Sequence, residues 1–187
     1  MTILEEVLES NDHFVKHFPE VYCALIQHEA KLPNRHLAIV TCMDTRLVDF
    51  LEPALGIRRG EAKIIKNAGN TVTGPFEATI RSLMVGVFEL GVKEIMVIGH
   101  HDCGIANTTS QNLIEKMLNR GISKDAIRMI QEELVRWLDN FKYPVENVKQ
   151  VVEKIRTNPL IPNDVPVHGL MFDPHSGKID IIIDGYK

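Results

Sequence analysis

Three short apolar runs, each ending at a polar cluster, most constrain what this chain can fold into. Leu37 to Val40 in "HLAIVTCMD" is unbroken, and "AKIIKNAGN" (62–70) and "EIMVIGHH" (94–101) look similar. Such runs mark strands covered on both faces, the habit of parallel sheets. Between the last two lies "GPFEATIRSLMVGVFELG". There Pro75 suits a first helical turn, Phe76, Ile80, Leu83, Val87 and Leu90 form a stripe at helical spacing, and Gly91 suits the stop. Strand, helix, strand, helix, strand predicts βαβ units, hence a mostly parallel sheet with right-handed crossovers.

The flanking segments extend this pattern. In "TILEEVLESNDHFVKHF", Ile3, Leu4, Val7 and Leu8 share a helical face that Phe14 and Phe18 continue after Asn11-Asp12, and a second helical stretch runs to about Ala30. Three helical segments follow Cys103. Leu113, Ile114, Met117 and Leu118 mark the first. Ser123 suits the cap of the second, whose stripe is Ala126, Ile127, Ile130, Leu134, Trp137 and Leu138. Val148, Val151, Val152 and Ile155 mark the third. The closing "VHGLMFDPHSGKIDIIID" reads as two strands around an Asp173–Gly177 turn, so the last strand is expected to be antiparallel. A chain of 187 residues supplies one well-buried core and is short for two. The expectation is an α/β fold in a single domain over 1–187, with a mostly parallel central sheet, flanking helices, an antiparallel C-terminal edge strand and an N-terminal helical arm over about 1–31.

Charge and cysteine usage exclude several function classes. A net charge of −4 and a pI near 6.1 leave no basic surplus for nucleic acid. The opening "MTILEEVLES" is acidic where a secretory leader would be basic, and no apolar run is long enough for a membrane span. A cytoplasmic protein with no nucleic-acid or membrane partner is expected. Three cysteines, Cys23, Cys42 and Cys103, do not make a disulfide scaffold. Cys23, near Leu25 and Ile26 in a helical stretch, reads as core.

Two polar clusters, "TCMDTR" (41–46) and "GHHDCG" (99–104), sit where expected parallel strands stop. Ligands of open α/β sheets bind beyond the carboxyl ends of strands, where the strand order reverses. If the first and third strands are neighbours and the second lies beyond the first, Cys42 meets His100 and Cys103 at that reversal. Two sulfurs and one imidazole suit zinc, and three protein ligands with an open fourth position define a catalytic zinc site. Asp44 is the candidate fourth ligand. Arg46, two residues on, offers its carboxylate a guanidinium fork that would hold it off the metal and leave that position to water. Two thiolates make such a water harder to ionise than an all-histidine site does, so activity should favour alkaline pH. Each residue also has a plainer reading. Either cysteine alone is a small buried hydrophobe, Asp44 a helix cap, Arg46 a solvated side chain, and "NAGN" (67–70) a turn. His101 is set aside as pocket wall or surface, because one intervening residue makes chelation with Cys103 strained. Asp102 suits a turn or a hydrogen-bond partner of the ligands. Gly104 permits the bend at the strand end, or presents its N–H to an anion.

Taken together, Cys42-Met43-Asp44-Thr45-Arg46, then "KNAGN" (66–70), then Gly99-His100-His101-Asp102-Cys103-Gly104 resemble the β-class carbonic anhydrases, in the compact prokaryotic branch. That family carries Cys-x-Asp-x-Arg followed by His-x-x-Cys. The resemblance runs from about residue 36 to the closing "VPVHGLMFDPHSGKID". It implies Zn2+ on Cys42, His100 and Cys103, and reversible hydration of carbon dioxide to bicarbonate and a proton by a zinc-bound hydroxide. It implies that Asp44 accepts a hydrogen bond from the zinc-bound water while Arg46 holds Asp44. It also makes Asp44 a conditional fourth ligand that swings onto the metal in some members, and it implies homodimers or larger homo-oligomers. Thr45 stands where serine is usual, and His101 where threonine is common. The alternatives are a hydrolase of carbon disulfide or carbonyl sulfide on the same scaffold, a non-catalytic zinc-binding module closed by Asp44, and a thiol redox protein.

Overall fold

The computed structural model describes residues 1–20, 22 and 31–187. The expected helical stretch to about Ala30 and the core reading of Cys23 lie mostly or wholly outside the described residues. The chain divides into two units, 1–31 and 32–187.

In the first unit, α1 (Ile3–Lys16) runs without a break through Asn11-Asp12. Thr2 starts it as one half of a reciprocal cap: its hydroxyl accepts the Glu5 N–H, and the Glu5 carboxylate accepts the Thr2 N–H. Phe18 lies past its end, where its ring meets Phe14 edge-on.

The second unit is a five-stranded sheet in the order β2-β1-β3-β4-β5. Its strands are β1 (Leu37–Cys42), β2 (Ala62–Asn67), β3 (Glu94–His100), β4 (Val167–Phe172) and β5 (Ile179–Ile183). All neighbours are parallel except β4 and β5, whose antiparallel pairing carries an irregularity at Gly169/Leu170. The expected mostly parallel sheet with an antiparallel C-terminal edge is therefore the one found. All six residues of β1 are buried, as its unbroken apolar run requires. β2, in which Lys63, Lys66 and Asn67 stand among the apolar residues, is only half-buried, as an edge strand is.

Helices cover the sheet from both faces. The helices of this unit are α2 (Leu51–Ala54), α3 (Ala78–Phe88), α4 (Ser110–Asn119), α5 (Lys124–Leu138) and α6 (Pro144–Arg156); α2, α3 and α6 lie against the sheet, and α4 and α5 pack on each other. On one face Val148, Val151, Val152 and Ile155 of α6 and Ile80 and Leu83 of α3 pack against Ala38, Val40, Ile95, Val97 and Met171. On the other, Leu37, Ile39, Ile98 and Phe172 meet Leu47, Leu51, Ile57 and Phe141. The three segments after Cys103 form helices, and Ser123 caps α5 by accepting the Ala126 N–H.

Two boundaries differ from expectation. Glu77 accepts the N–H groups of Thr79 and Ile80 and so starts α3 at Ala78, leaving Pro75 and the exposed Phe76 outside it. The first crossover, between β1 and β2, holds no long helix, just a single 3-10 turn at Thr45–Leu47 and the four-residue α2.

Candidate metal centre

β1 and β3 are adjacent, with β2 beyond β1, so the strand order reverses between them. β1 ends at Cys42 and β3 at His100, and Cys103 follows three residues later. The structure thus brings together the three residues that the sequence placed in separate clusters. One ligand atom from each of Cys42, His100 and Cys103 lies within 4.8 Å of the others, and all three residues are buried. The bend that returns Cys103 is made at Asp102, whose φ of 54° is left-handed.

The donor set fits a tetrahedral ion. The two Sγ atoms are 3.9 Å apart and both cysteines are free. Two sulfurs about 2.3 Å from a shared zinc at the tetrahedral angle stand about 3.8 Å apart. The His100 Nδ1–H donates to the His101 carbonyl at 2.8 Å, which leaves the Nε2 lone pair to point elsewhere. That Nε2 is buried and has no hydrogen-bond partner, the expected state of a ligand atom in a protein-only structure. Cys42 is pulled down to about 4, chiefly by the hydrogen bond from Cys103, against burial, with the N–H groups of Gly69 and Asp44 assisting. The same bond pushes Cys103 up, so the pair gives up its first proton readily and holds the second. A cation displaces that second proton, since metals bind thiolates.

Asp44 stands beside this cluster, its Oδ2 3.8 Å from His100 Nε2. Arg46 grips it with Nε on Oδ1 at 3.0 Å and Nη2 on Oδ2 at 2.9 Å, and the Arg46 N–H adds a third bond to Oδ1 at 2.9 Å. This guanidinium holds the Asp44 carboxyl down at about 2, against some burial. Arg46 Nη2 also donates to the Asp102 carbonyl at 2.9 Å, tying the loop after β1 to the loop after β3. His101 and Asp102 are exposed, and the Asp102 carboxylate lies 3.7 Å from His175. Gly104 is exposed and opens the single turn Gly104–Asn107 directly after Cys103.

The residues 67–70 do more than turn. Asn67 accepts the Thr71 N–H and donates to the Thr71 carbonyl and the Thr79 hydroxyl, which fixes the loop. Gly69, at φ 75°, then presents its N–H to Cys42. A Cβ at Gly69 would meet Phe141 at 2.9 Å. The glycine in that motif was the available signal.

A mostly parallel sheet with a buried Cys–His–Cys cluster at its strand-order reversal, flanked by an arginine-held aspartate, defines a class: α/β proteins with a donor set that could hold a metal ion at the carboxyl ends of their strands. Comparison with known proteins narrows the class. A family model described as carbonic anhydrase matches residues 37–179. The Bacillus subtilis (strain 168) protein YtiB is 42% identical over all of both chains. β-Carbonic anhydrase 1 of Mycobacterium bovis is 36% identical over 79% of this chain and 82% of its own. The crystal structure of β-carbonic anhydrase isoform I from Trichomonas vaginalis superposes with a TM-score of 0.93 at 43% identity, covering all of both chains. A carbon disulfide hydrolase of Acidianus is 30% identical over 78% of this chain and 76% of its own. The chain belongs to the β-carbonic anhydrase family.

Proposed function

We propose that this chain is a zinc-dependent carbonic anhydrase that reversibly hydrates carbon dioxide to bicarbonate and a proton. The observation that carries this reading is the bidentate hold of Arg46 on Asp44 beside the converging Cys42, His100 and Cys103. Those three residues are the ligands we assign to Zn2+, with Asp44 as a conditional fourth. When bound, zinc supplies a Lewis acid that lets water act as a nucleophile near neutral pH. Asp44 stays ionised across the working range, because Arg46 depresses its carboxyl. It therefore accepts a hydrogen bond from the attacking water and turns the oxygen lone pair toward carbon dioxide. Arg46 prevents Asp44 from becoming a ligand and is in that sense the positioning residue. Gly104 is assigned to the substrate, with its N–H available to an oxygen of the product anion.

A closed, non-catalytic zinc module would have no use for the bidentate hold of Arg46 on Asp44, which keeps that carboxylate off the metal. Hydrolysis of carbon disulfide suits the same residues. However, the named carbonic anhydrase of Trichomonas matches the whole chain at 43%, against 30% over 78% for the Acidianus hydrolase. We further read the enzyme as a cytoplasmic homodimer or larger homo-oligomer; no helix among the described residues is long and apolar enough to cross a membrane. Metal analysis of the native protein, stopped-flow hydration, and the same assay on carbon disulfide and carbonyl sulfide test the reading. One zinc per chain with hydration far above sulfur hydrolysis is expected. A zinc-loaded chain inert toward carbon dioxide would overturn it. Light scattering and cell fractionation test the assembly and location.

A further inference from the structure

Near the amino ends of β3 and β4, in register with Met96 and so about 13 Å along β3 from His100, lies a buried histidine that the proposed reaction does not use. His168 is only 7% exposed. Its Nδ1 accepts the N–H of Gly185 at 3.0 Å, which places the proton of the neutral ring on Nε2. Nε2 stands 3.1 Å from Glu94 Oε1, in charge contact but outside hydrogen-bond alignment. Tyr186 closes over the ring edge-on at 4.7 Å, and its hydroxyl donates to Glu94 Oε2 at 2.7 Å. Asp184 Oδ1 lies 4.0 Å from Nδ1 and accepts the Tyr186 N–H at 3.1 Å, while Lys187 pairs with Asp184 Oδ2 at 3.0 Å. Gly185 sits so close to β4 that a Cβ would come within 2.6 Å of the Val167 carbonyl oxygen. The last four residues are therefore folded back across the start of β4 and fastened to one imidazole.

We propose that His168 is a protonation-operated catch for the C-terminal segment Asp184–Lys187: neutral, it holds Gly185; protonated, it releases Gly185 and engages Asp184. The exchange follows from hydrogen-bond roles. Nδ1 accepts the Gly185 N–H only through its lone pair, and a proton there sets donor against donor. The groups recorded against the ring among the described residues are Glu94 from β3 and Asp184 and Tyr186 from the tail, with Lys187 partly answering Asp184. Asp184 is already within 4.0 Å of the nitrogen that gains the proton, so a small shift of the tail completes the new pair. Histidine is the side chain whose ordinary change of charge falls between about pH 5 and 8, and that is the range over which the exchange is to be tested. Because β5 ends at Ile183, the catch also sets how firmly the edge strand is closed at that end.

Amide hydrogen exchange by NMR on the full-length, metal-loaded protein tests this, with rates corrected for the intrinsic pH dependence of exchange. As the His168 ring titrates, protection of the Gly185 amide should fall by up to about tenfold, the scale of one lost hydrogen bond, while that of Leu170 in β4 holds. His168→Gln keeps an acceptor that does not titrate, and should abolish the pH dependence. Gly185→Ala should leave the tail amides unprotected at every pH with β4 protection intact. A Gly185 amide with constant protection through the ring's titration overturns the proposal. So does a ring that keeps one charge state across that range, or a His168→Gln protein with the wild-type profile.

Discussion

Arg46 carries two tasks on one guanidinium. Two of its nitrogens clamp the Asp44 carboxylate, and one of them also reaches the Asp102 carbonyl. Arg46→Ala removes both and frees a carboxylate that sits 3.8 Å from His100 Nε2. Partners of this kind are worth about 10–100-fold in activity or metal affinity. Stopped-flow hydration by Arg46→Ala should fall by about that factor with zinc content retained, since Asp44 then closes the site. Unchanged hydration would mean that the pair is only a surface ion pair. Arg46→Lys cannot form the fork and should fall nearly as far. At the centre itself, Cys42→Ser and His100→Ala should each lose bound zinc, read by metal analysis, because each removes one of three donors. The convergence of Cys42, His100 and Cys103 was legible in the sequence because cysteine and histidine advertise their chemistry. The Gly69 N–H aimed at Cys42 was not read, because a backbone donor leaves no trace beyond the glycine in "NAGN" that lets it approach.

Among the elements, legibility followed how strongly local chemistry outweighed context. β1, α5 and α6 matched their patterns because an unbroken apolar run, a Ser123 cap and the stripe of Val148, Val151, Val152 and Ile155 all agree with the tertiary burial. The start of α3 did not, because Glu77 wins the capping contest two residues after Pro75. The exposure of β2 depends on its place at the sheet edge, which reading the run as apolar concealed although Lys63 and Lys66 stand in it. The long-range anchor of α4 was equally hidden. Asp139, at the end of α5, accepts the Ser110 N–H at 2.9 Å and its hydroxyl at 2.7 Å. Those two bonds hold the Asp139 carboxyl below the usual carboxylate range. A carboxyl depressed in the folded state contributes stability above its unfolded value, about 3.9, and loses it as pH falls through the folded value. Thermal melts of Asp139→Asn should therefore lie below wild type at pH 7, and the gap should close progressively below about pH 4. A gap that persists undiminished in acid would assign the loss to packing. Gly99→Ala probes β3, where the added Cβ would meet Val148 Cγ2 at 2.6 Å and Met171 Sδ at 3.0 Å. Val148 is a stiff side chain, so overpacking should cost about 1–3 kcal/mol in denaturant unfolding and displace His100 next to it.

For the whole molecule, the decisive long-range fact is the adjacency of β1 and β3. The strand order β2-β1-β3-β4-β5 follows from crossovers whose direction the sequence does not record; only the pairing of two polar clusters made it inferable. That order makes the cluster a fastening between the two central strands, since Cys42 ends one and His100 ends the other. The fastening is not the whole of the core. The packing of α3 and α6 on the sheet's other face involves none of the three donors. Chelation should therefore lower stability without unfolding the chain, unlike a small zinc finger whose fold depends on its metal. A ligand that binds only the folded state contributes about 2.7 kcal/mol at a hundredfold excess over its Kd. Dialysis against a chelator should accordingly drop Tm while leaving the far-UV circular dichroism and a single cooperative transition, and stoichiometric zinc should restore Tm and hydration together. A Tm indifferent to chelation would place the metal elsewhere, and outright unfolding would show that the helices on the opposite face do not hold the sheet unaided.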